Sequence, residues 1–431
     1  MYKNGGNVKQ FSERKNSVEK TNKKSKKTKK YTPPNRIIFG IARLISKFLC
    51  KFVYRVRIVR NELEGKNGRC VIISNHESII DVLPAYTVVP PKTHFVVSKA
   101  MMQSMPIAPL MERCGAIGKN QFQTSVLDMR RMKSVLDHDE PLMLYPAGLM
   151  TESGASTPIP IATAKALKWF KSDIYVSRVN GTYLTNPKWA KVKRRGRIDI
   201  EVYKLASADE FAALSDEEAA QLVEEHLSFD AYRYNDEKRV YYKNGDNLQG
   251  LESVLYKCPV CQSEFTVKVL GKNKLTCTEC GYTVRSDNYG ILSLVGGGDL
   301  IYKYPSDWHA YIEETVYNFV KEHPNFFYQI NAEIHTINEK WHRYECVGEG
   351  KIGFDFNKFE ITGVLNGKEF YEEIPTAAFP ILPFRPGAYF EIQHGDNIYR
   401  IVPENPEIVM KWIFTLKATF RLKQEEKVTR G

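Results

Sequence analysis

The chain has 431 residues, with 62 Lys and Arg against 50 Asp and Glu, a formal net charge of +12. The 43% hydrophobic and 26% charged residues are typical of a globular protein of two or three domains, which excludes a mostly disordered chain and a multi-span membrane protein. Residues 1–60 carry a net charge of +16 and the remaining residues sum to −4. The basic end therefore predicts an electrostatic anchor and argues against a DNA-coating body.

The eight cysteines indicate a reducing compartment, because four occur singly and four form two CxxC pairs. Residues 1–34 are polar and Lys-rich, which predicts a disordered polybasic tail and no signal peptide.

Residues 36–54 have the pattern of an amphipathic helix. At 100° per residue, four basic side chains fall within about 80° of one another: Arg36, Arg43, Lys47 and Lys51. No apolar run approaches the roughly 20 residues that span a bilayer. The pattern predicts a helix that lies in the membrane interface, with its basic face toward anionic headgroups of the cytoplasmic leaflet. A helix packed on its own domain is the alternative.

Strand and helix patterns alternate between residues 53 and 206. The strand patterns lie at 53–59, 70–74, 94–98, 142–145, 174–179 and 201–206, and the helical ones near 78–88, 100–113, 124–137 and 161–171. Ser215 and Glu218 form a capping box that predicts one further helix. The alternation predicts an α/β domain, a mixed sheet with flanking helices, over residues 35–245.

The strand pattern at 70–74 leads directly into Asn75 and His76, and Asp81 follows in the next helical turn. A carboxylate in that position can fix the imidazole tautomer, so that the other ring nitrogen accepts a proton from a hydroxyl. The alternative is a capping histidine with an aspartate that the helix dipole favours.

These residues and two later blocks resemble the glycerolipid acyltransferase family, which includes the bacterial lysophosphatidic acid acyltransferases. Asn75, His76 and Asp81 match its NHxxxxD block, Gly115 to Gln121 stand in place of its second block, and Tyr145 to Thr151 in place of its FPEGTRS block. The resemblance covers residues 36–205. It implies that His76 and Asp81 are catalytic, with substrate-binding residues Asn75, Ser78, Lys119, Gln121, Tyr145, Pro146, Gly148 and Thr151.

The resemblance also implies a reaction. His76, oriented by Asp81, would remove a proton from the hydroxyl of a lysophospholipid or related glycerolipid, which attacks an acyl thioester of coenzyme A or acyl carrier protein. Backbone amides near Gly148 are expected to hold the oxyanion.

Three positions depart from the family pattern. Gln121 replaces the second-block Arg, Ala147 the third-block Glu and Met150 the third-block Arg. The family uses those charged residues to hold the substrate phosphate, and neither Gln nor Met offers a guanidinium fork. Lys119, Arg178 or Glu152 could compensate. Otherwise the acceptor differs from a simple phosphomonoester, or activity is reduced and the protein is a lipid-binding adaptor.

Two CxxC pairs are separated by 15 residues: Cys258, Cys261, Cys277 and Cys280. This spacing predicts a zinc ribbon over residues 250–296, with one structural zinc held by four thiolates. Zinc ribbons with polybasic tails also occur in nucleic-acid-binding proteins. We expect no nucleic acid here, because the ribbon is not strongly basic and no stacking signature follows.

Residues 300–431 predict a second, mainly β domain. A helix is expected at 307–322, then seven alternating segments at 327–337, 341–347, 351–356, 358–365, 369–374, 388–393 and 397–402, and a final helix at 406–420. Seven strands closed by one helix predict a small β-barrel or bent sandwich, which resembles a pleckstrin-homology-like (PH-like) module.

Overall fold

The structure is a computed structural model and describes residues 31–121, 125–338, 340–395 and 397–430. The predicted polybasic tail falls almost wholly on residues 1–30, outside the described residues. From Pro33 to Gly431 the chain forms one unit.

The first part of the chain contains a seven-stranded sheet with the order β1-β7-β6-β2-β5-β3-β4. Its strands are β1 (Val56–Asn61), β2 (Val71–Ser74), β3 (His94–Ser98), β4 (Ala116–Lys119), β5 (Leu142–Leu144), β6 (Ile174–Asn180) and β7 (Ile198–Ala206). Only β6 and β7 pair antiparallel; the other five pairs are parallel. The predicted mixed sheet is confirmed. β2 lies at its centre and is buried on both faces, which explains its continuous apolar run.

Ten helices accompany this sheet within the described residues. They are α1 (Arg36–Phe52), α2 (Val82–Val88), α3 (Lys99–Ser104), α4 (Ala108–Arg113), α5 (Val126–Asp137), α6 (Ile161–Phe170), α7 (Thr182–Thr185), α8 (Ala208–Ala213), α9 (Asp216–Leu227) and α10 (Ala231–Lys238). The capping box of Ser215 and Glu218 opens α9 as predicted. The single helix expected over 100–113 was wrong: Pro106 keeps Met105 extended, so α3 and α4 are separate.

Helix α1 presents three different faces. Phe39, Ser46 and Cys50 are buried, and burial raises the pKa of the Cys50 thiol to about 12. Arg43 lies on the same side and donates hydrogen bonds to the carbonyls of Tyr86 and Val89 at the end of α2. Its predicted place on a headgroup-facing surface was therefore wrong, because helix-end carbonyls attract a cation.

The outward side of α1 keeps the predicted amphipathic character. Its exposed apolar side chains include Ile37, Leu44 and Phe48, which are 74%, 68% and 59% exposed, and its exposed basic ones are Arg36, Lys47 and Lys51. Among the described residues, no helix has the length and apolar character needed to cross a membrane.

A four-stranded antiparallel sheet carries the CxxC pairs. Its strands, in the order β11-β10-β9-β8, are β8 (Val267–Leu270), β9 (Lys274–Cys277), β10 (Thr283–Ser286) and β11 (Leu292–Leu294).

The last part is a seven-stranded antiparallel sheet with the order β15-β14-β13-β12-β18-β17-β16. In the chain, helix α11 (Pro305–Glu322) precedes its strands and helix α12 (Val409–Arg430) follows them. Its strands are β12 (Phe327–Asn338), β13 (Arg343–Asp355), β14 (Lys358–Leu365), β15 (Lys368–Pro375), β16 (Phe384–Arg385), β17 (Tyr389–His394) and β18 (Asn397–Pro403). An additional β-rich domain is thus present.

Two details of that domain differ from the prediction. The segments expected at 341–347 and 351–356 form one strand, β13, and the short strand β16 was missed. The glycines that interrupt the alternation serve close strand packing, because a Cβ at Gly348 would lie only 1.8 Å from the carbonyl oxygen of Val364.

The four-stranded sheet and the β-rich domain share one hydrophobic core. Tyr256 stacks on Phe265 and also meets Phe414 of α12. The indole of Trp308 in α11 donates a hydrogen bond of 2.9 Å to the carbonyl of Lys257, beside Cys258. The position of α11 therefore depends on the cysteine-bearing segment.

Candidate active site

His76 and Asp81 form a hydrogen-bonded pair at the carboxyl end of β2. The imidazole Nδ1 lies 2.8 Å from Asp81 Oδ2, and that oxygen also accepts the backbone N–H groups of Glu77 and Ser78. The Asp81 side chain is 1% exposed, whereas that of His76 is 21% exposed. The carboxylate assigns the Nδ1–H tautomer to His76 and leaves Nε2 available on the open side.

Asn75 and Ser78 hold the loop that carries His76. The Asn75 amide donates to the carbonyl of Val179 and accepts from its N–H, at 2.7 and 2.9 Å. The Ser78 hydroxyl donates to the carbonyl of Asn186 at 2.8 Å. Both side chains therefore fix the loop against β6 and the segment after it, and a contact with substrate stays a prediction.

The loop after β5 packs against His76 of the His76–Asp81 pair. Tyr145 stacks on the His76 ring with centroids 4.4 Å apart, and burial raises the pKa of its phenol well above the usual value. The Thr151 N–H donates to the His76 carbonyl, and the Thr151 hydroxyl donates to Ala155. Pro146 lies in the same loop, between Tyr145 and Gly148. The third-block residues Tyr145 and Thr151 therefore contact the first block at His76.

Gly148 itself does not offer an open amide, and oxyanion binding by other amides near it stays a prediction. It adopts a positive φ of 73°, and its N–H donates to the carbonyl of Tyr145 within the turn. Its own carbonyl accepts a hydrogen bond of 2.8 Å from the Gln121 side chain. Gln121 thus ties the second block to the third through the backbone.

The charged residues considered as replacements have surroundings that differ from one another. Lys119 ends β4, and burial lowers the pKa of its ammonium against the opposing effect of Asp128. The guanidinium of Arg178 donates to the carbonyl of Ser228 at 2.9 Å. Glu152 is 2% exposed and lies 3.4 Å from the His309 imidazole of α11, so it faces the C-terminal helices.

A small pocket opens beside His76, with about 270 Å³ of empty space that includes open solvent. Asn75 and Thr151, two of the predicted substrate-binding residues, line it together with Ala147. The remaining wall was not predicted: Ser156 and Thr157 follow the third block, and Leu227 and Phe229 come from the end of α9 and the segment after it. Only the three-dimensional fold brings this distant segment to the pocket.

Two further residues of the site were missed, Glu77 and Thr182. The Glu77 side chain is buried beneath the turn after β6, and the Thr182 hydroxyl contacts both Glu77 and Asp81. The sequence did offer a signal for Glu77, because a charged residue there directly follows His76 in a block that comes after a buried strand. No local pattern marks Thr182.

The four cysteines of the CxxC pairs converge, with all four sulfurs within 4.8 Å of one another. Cys258 Sγ lies 3.6 Å from Cys280 Sγ, and Cys261 Sγ lies 3.6 Å from Cys277 Sγ. Tetrahedral zinc with bonds of about 2.3 Å places its sulfurs about 3.8 Å apart, so the thiolates fit that ion.

The backbone of the two CxxC turns also suits a metal site. The residue after each pair has a positive φ, 62° at Gln262 and 74° at Gly281. The sequence indicated this conformation only for Gly281, because glycine adopts it without steric cost.

The α/β fold with a His–Asp pair at a strand end defines a domain suited to proton abstraction from a hydroxyl. Residues 55–176 match the model of the family described as Acyltransferase, which is less than a third of the chain and includes the first and third blocks. A crystal structure of the 1-acyl-sn-glycerophosphate (LPA) acyltransferase PlsC from Thermotoga maritima also matches. Its TM-score is 0.40 and its identity 14%, over 46% of this chain and 79% of that chain.

Proposed function

We propose that the α/β domain transfers an acyl chain from acyl-CoA or acyl carrier protein to the hydroxyl of a lysophospholipid or related glycerolipid at a membrane surface. The observation that carries the proposal is the His76–Asp81 pair, 2.8 Å apart beside a pocket, within the region that matches the Acyltransferase family.

The proposed reaction begins at His76 Nε2, which accepts the proton of the acceptor hydroxyl while Asp81 holds Nδ1–H. The hydroxyl oxygen bonds to the thioester carbonyl carbon, the carbon–sulfur bond breaks, and the proton passes from Nε2 to the leaving thiolate. General-base catalysis of this kind contributes about 10²–10⁴-fold to a rate. No covalent enzyme intermediate is required.

The acceptor is proposed to differ from a simple phosphomonoester. Gln121 and Met150 stand where the family's phosphate-binding arginines are expected, and the Gln121 amide donates to Gly148. The Met150 carbonyl accepts a long contact of 3.4 Å from Lys188, whose ammonium also lies over the Phe384 ring. These contacts support a headgroup that is recognised without a guanidinium fork.

Helix α1 is proposed to hold the protein on the cytoplasmic face of the membrane as a peripheral protein. Its exposed apolar residues lie next to its exposed basic ones, an arrangement that suits an anionic lipid surface. We expect Leu44→Ser with Phe48→Ser to reduce flotation with anionic vesicles, and raised salt to weaken wild-type binding.

The matched control for that experiment is Val364→Ser on β14, an apolar residue that is 50% exposed on another part of the molecule. Equal, salt-insensitive flotation of all three proteins would place the membrane contact elsewhere.

The four cysteines are proposed to hold one structural zinc, since four thiolates leave no open position for catalysis. The β-rich domain is proposed to be PH-like. Its seven strands have the order 4-3-2-1-7-6-5 when numbered within the domain, and a helix follows them. The proposed partners are membrane lipids and the acyl donor, with no nucleic acid.

The experiment that tests the function is mass spectrometry of cellular lipids after expression of the wild type and His76→Ala. We expect an altered acyl profile with the wild type alone. Equal profiles, with both proteins retained on membranes, would instead favour the lipid-binding adaptor. The observation that supports the adaptor is the loss of the family's charged residues at Gln121, Ala147 and Met150. Co-purification of RNA or DNA would contradict both.

A further inference from the structure

Glu77 is next to His76 in the chain, but its side chain points into the protein. The residue is 1% exposed. Its Oε2 accepts the backbone N–H groups of Gly181 and Tyr183 at 3.0 and 2.9 Å, whereas the buried Oε1 has no hydrogen-bond partner among the described residues. A carboxyl group half of which has no partner is costly to bury as an anion.

The backbone at Gly181 is built for this contact. Gly181 has a φ of 97°, and a Cβ there would lie 2.4 Å from the Tyr242 hydroxyl oxygen. Only glycine therefore allows the turn after β6 to direct its amides at Glu77.

The Thr182 hydroxyl lies between two carboxyl groups. It is 3.0 Å from Glu77 Oε2 and in contact with Asp81 Oδ1. A hydroxyl has one hydrogen, so it can donate to one carboxyl and must accept from the other. One proton is therefore held by the pair of carboxyls themselves.

The charges around Glu77 favour keeping that proton. Asp81 faces it with a negative charge, and the other ionisable neighbour is the phenol of Tyr242, which donates to the carbonyl of Arg197. In the described part of the chain Glu77 forms no ion pair. The nearest imidazole, that of His76, contacts Asp81 Oδ2, whereas Thr182 contacts Asp81 Oδ1. Burial, with Asp81 adding to it, raises the pKa of Glu77 to about 8, although the three hydrogen bonds act in the opposite direction.

We propose that Glu77, Thr182 and Asp81 form a unit with a single shared proton that positions His76, with Glu77 as a positioning residue. The inference rests on the proposed acyl transfer. With one proton retained, the unit carries one negative charge, which the imidazolium neutralises when His76 accepts the substrate proton. Loss of the shared proton places a second, uncompensated charge beside Asp81 and disturbs the His76 contact.

The kinetic test compares pH profiles of kcat and KM for the wild type, Glu77→Gln and Thr182→Val with a lysophospholipid and acyl-CoA. The wild type should lose kcat on the alkaline side, with a midpoint near pH 8. Glu77→Gln should lower kcat by less than about 10² at neutral pH and lack the alkaline loss. Thr182→Val should lower kcat with little change in KM. An alkaline loss that is unchanged in Glu77→Gln would overturn the proposal.

A second measurement does not depend on activity. Difference infrared spectroscopy of the full chain should show the carbonyl stretch of a protonated carboxyl at neutral pH, and this band should vanish in Glu77→Gln. Glu152→Gln is the matched control and should keep the band, because Glu152 is equally buried but has cationic neighbours. Absence of the band in the wild type would contradict the shared proton, whereas a band without acyl transfer would contradict only the proposed function.

Discussion

Two buried glutamates lie on the two loops that meet at His76, and their surroundings are opposite. Glu77, on the loop after β2, faces Asp81 and has no cation to pair with among the described residues, so burial raises its pKa to about 8. Burial alone would also raise the pKa of Glu152 on the loop after β5. There, however, the nearby His309 imidazole and the ammonium groups of Lys417 and Lys188 lower the pKa well below its usual range.

The difference shows which part of the molecule each loop serves. In the first loop, the Asp81 carboxyl contacts His76, and Thr182 links Asp81 to Glu77, all within the α/β domain. The second loop touches His76 through Tyr145 and Thr151, but its glutamate faces α11 and α12 of the C-terminal part. The active site is thus joined to the rest of the chain through Glu152.

The largest expected effect comes from the proposed zinc site, which adjoins the helix α11 that Glu152 faces. Structural zinc contributes about 10–16 kcal/mol of binding free energy in small zinc domains. Cys277→Ser should therefore unfold the four-stranded sheet. It should also release α11, because Trp308 of α11 donates a hydrogen bond to the carbonyl of Lys257, the residue before Cys258. Metal content should fall below one equivalent, and hydrogen exchange should rise in α11 and in the loop 145–152.

Cys346→Ser is the control, since Cys346 is an exposed cysteine outside the two CxxC pairs. Unchanged hydrogen exchange in Cys277→Ser would show that α11 does not depend on the proposed zinc site.

Glu152→Gln should have the next largest effect. Removing one partner of a buried ionic cluster costs about 3–5 kcal/mol, because the remaining charges are left uncompensated. The pKa of Glu152 is lowered in the folded state, so its contribution is present above its ordinary pKa of 4.5 and is lost as pH falls toward the folded value. Urea unfolding at neutral and acidic pH should show a difference from the wild type that shrinks with acid.

The exposed Glu217→Gln in α9 serves as the control for Glu152→Gln and should leave the unfolding free energy within about 0.5 kcal/mol of the wild type. A Glu152→Gln variant as stable as this control would remove the contrast between the two glutamates.

Glu77→Gln should change the unfolding free energy with the opposite dependence on pH. The folded pKa of Glu77 is raised, so its contribution is fully present below 4.5 and is lost as pH rises to about 8. Across this window the wild type should lose about 1.4 kcal/mol per pH unit relative to Glu77→Gln. The check is the unfolding free energy of both proteins at several pH values, and a constant difference would speak against a raised pKa.

Local patterns were enough to predict the elements that depend on neighbouring residues. The buried β2, the capping box of α9 and the amphipathic α1 follow from side-chain periodicity and capping chemistry. His76 and Asp81 are only five residues apart, so one loop brings them together. The cysteine pairs are likewise readable from their spacing.

Contacts between distant segments were not predictable from the sequence. Thr182 reaches Asp81 across about a hundred residues, and the wall of the pocket at Phe229 depends on how α9 packs. Arg43 was misplaced because the carbonyls at the end of α2 are not visible in the α1 pattern. Glu152 finds its partners only once α11 and α12 have packed, because no local periodicity encodes an ionic cluster.

The proposed acyl transfer is tested most directly with the purified full chain, an isotopically labelled acyl-CoA and a lysophospholipid in anionic vesicles. We expect label in the acceptor lipid with the wild type, and a rate lower by about 10²–10⁴-fold with His76→Ala. Circular dichroism of both proteins should show that the variant remains folded. Turnover by His76→Ala equal to that of the wild type would contradict the assignment of His76 as the general base.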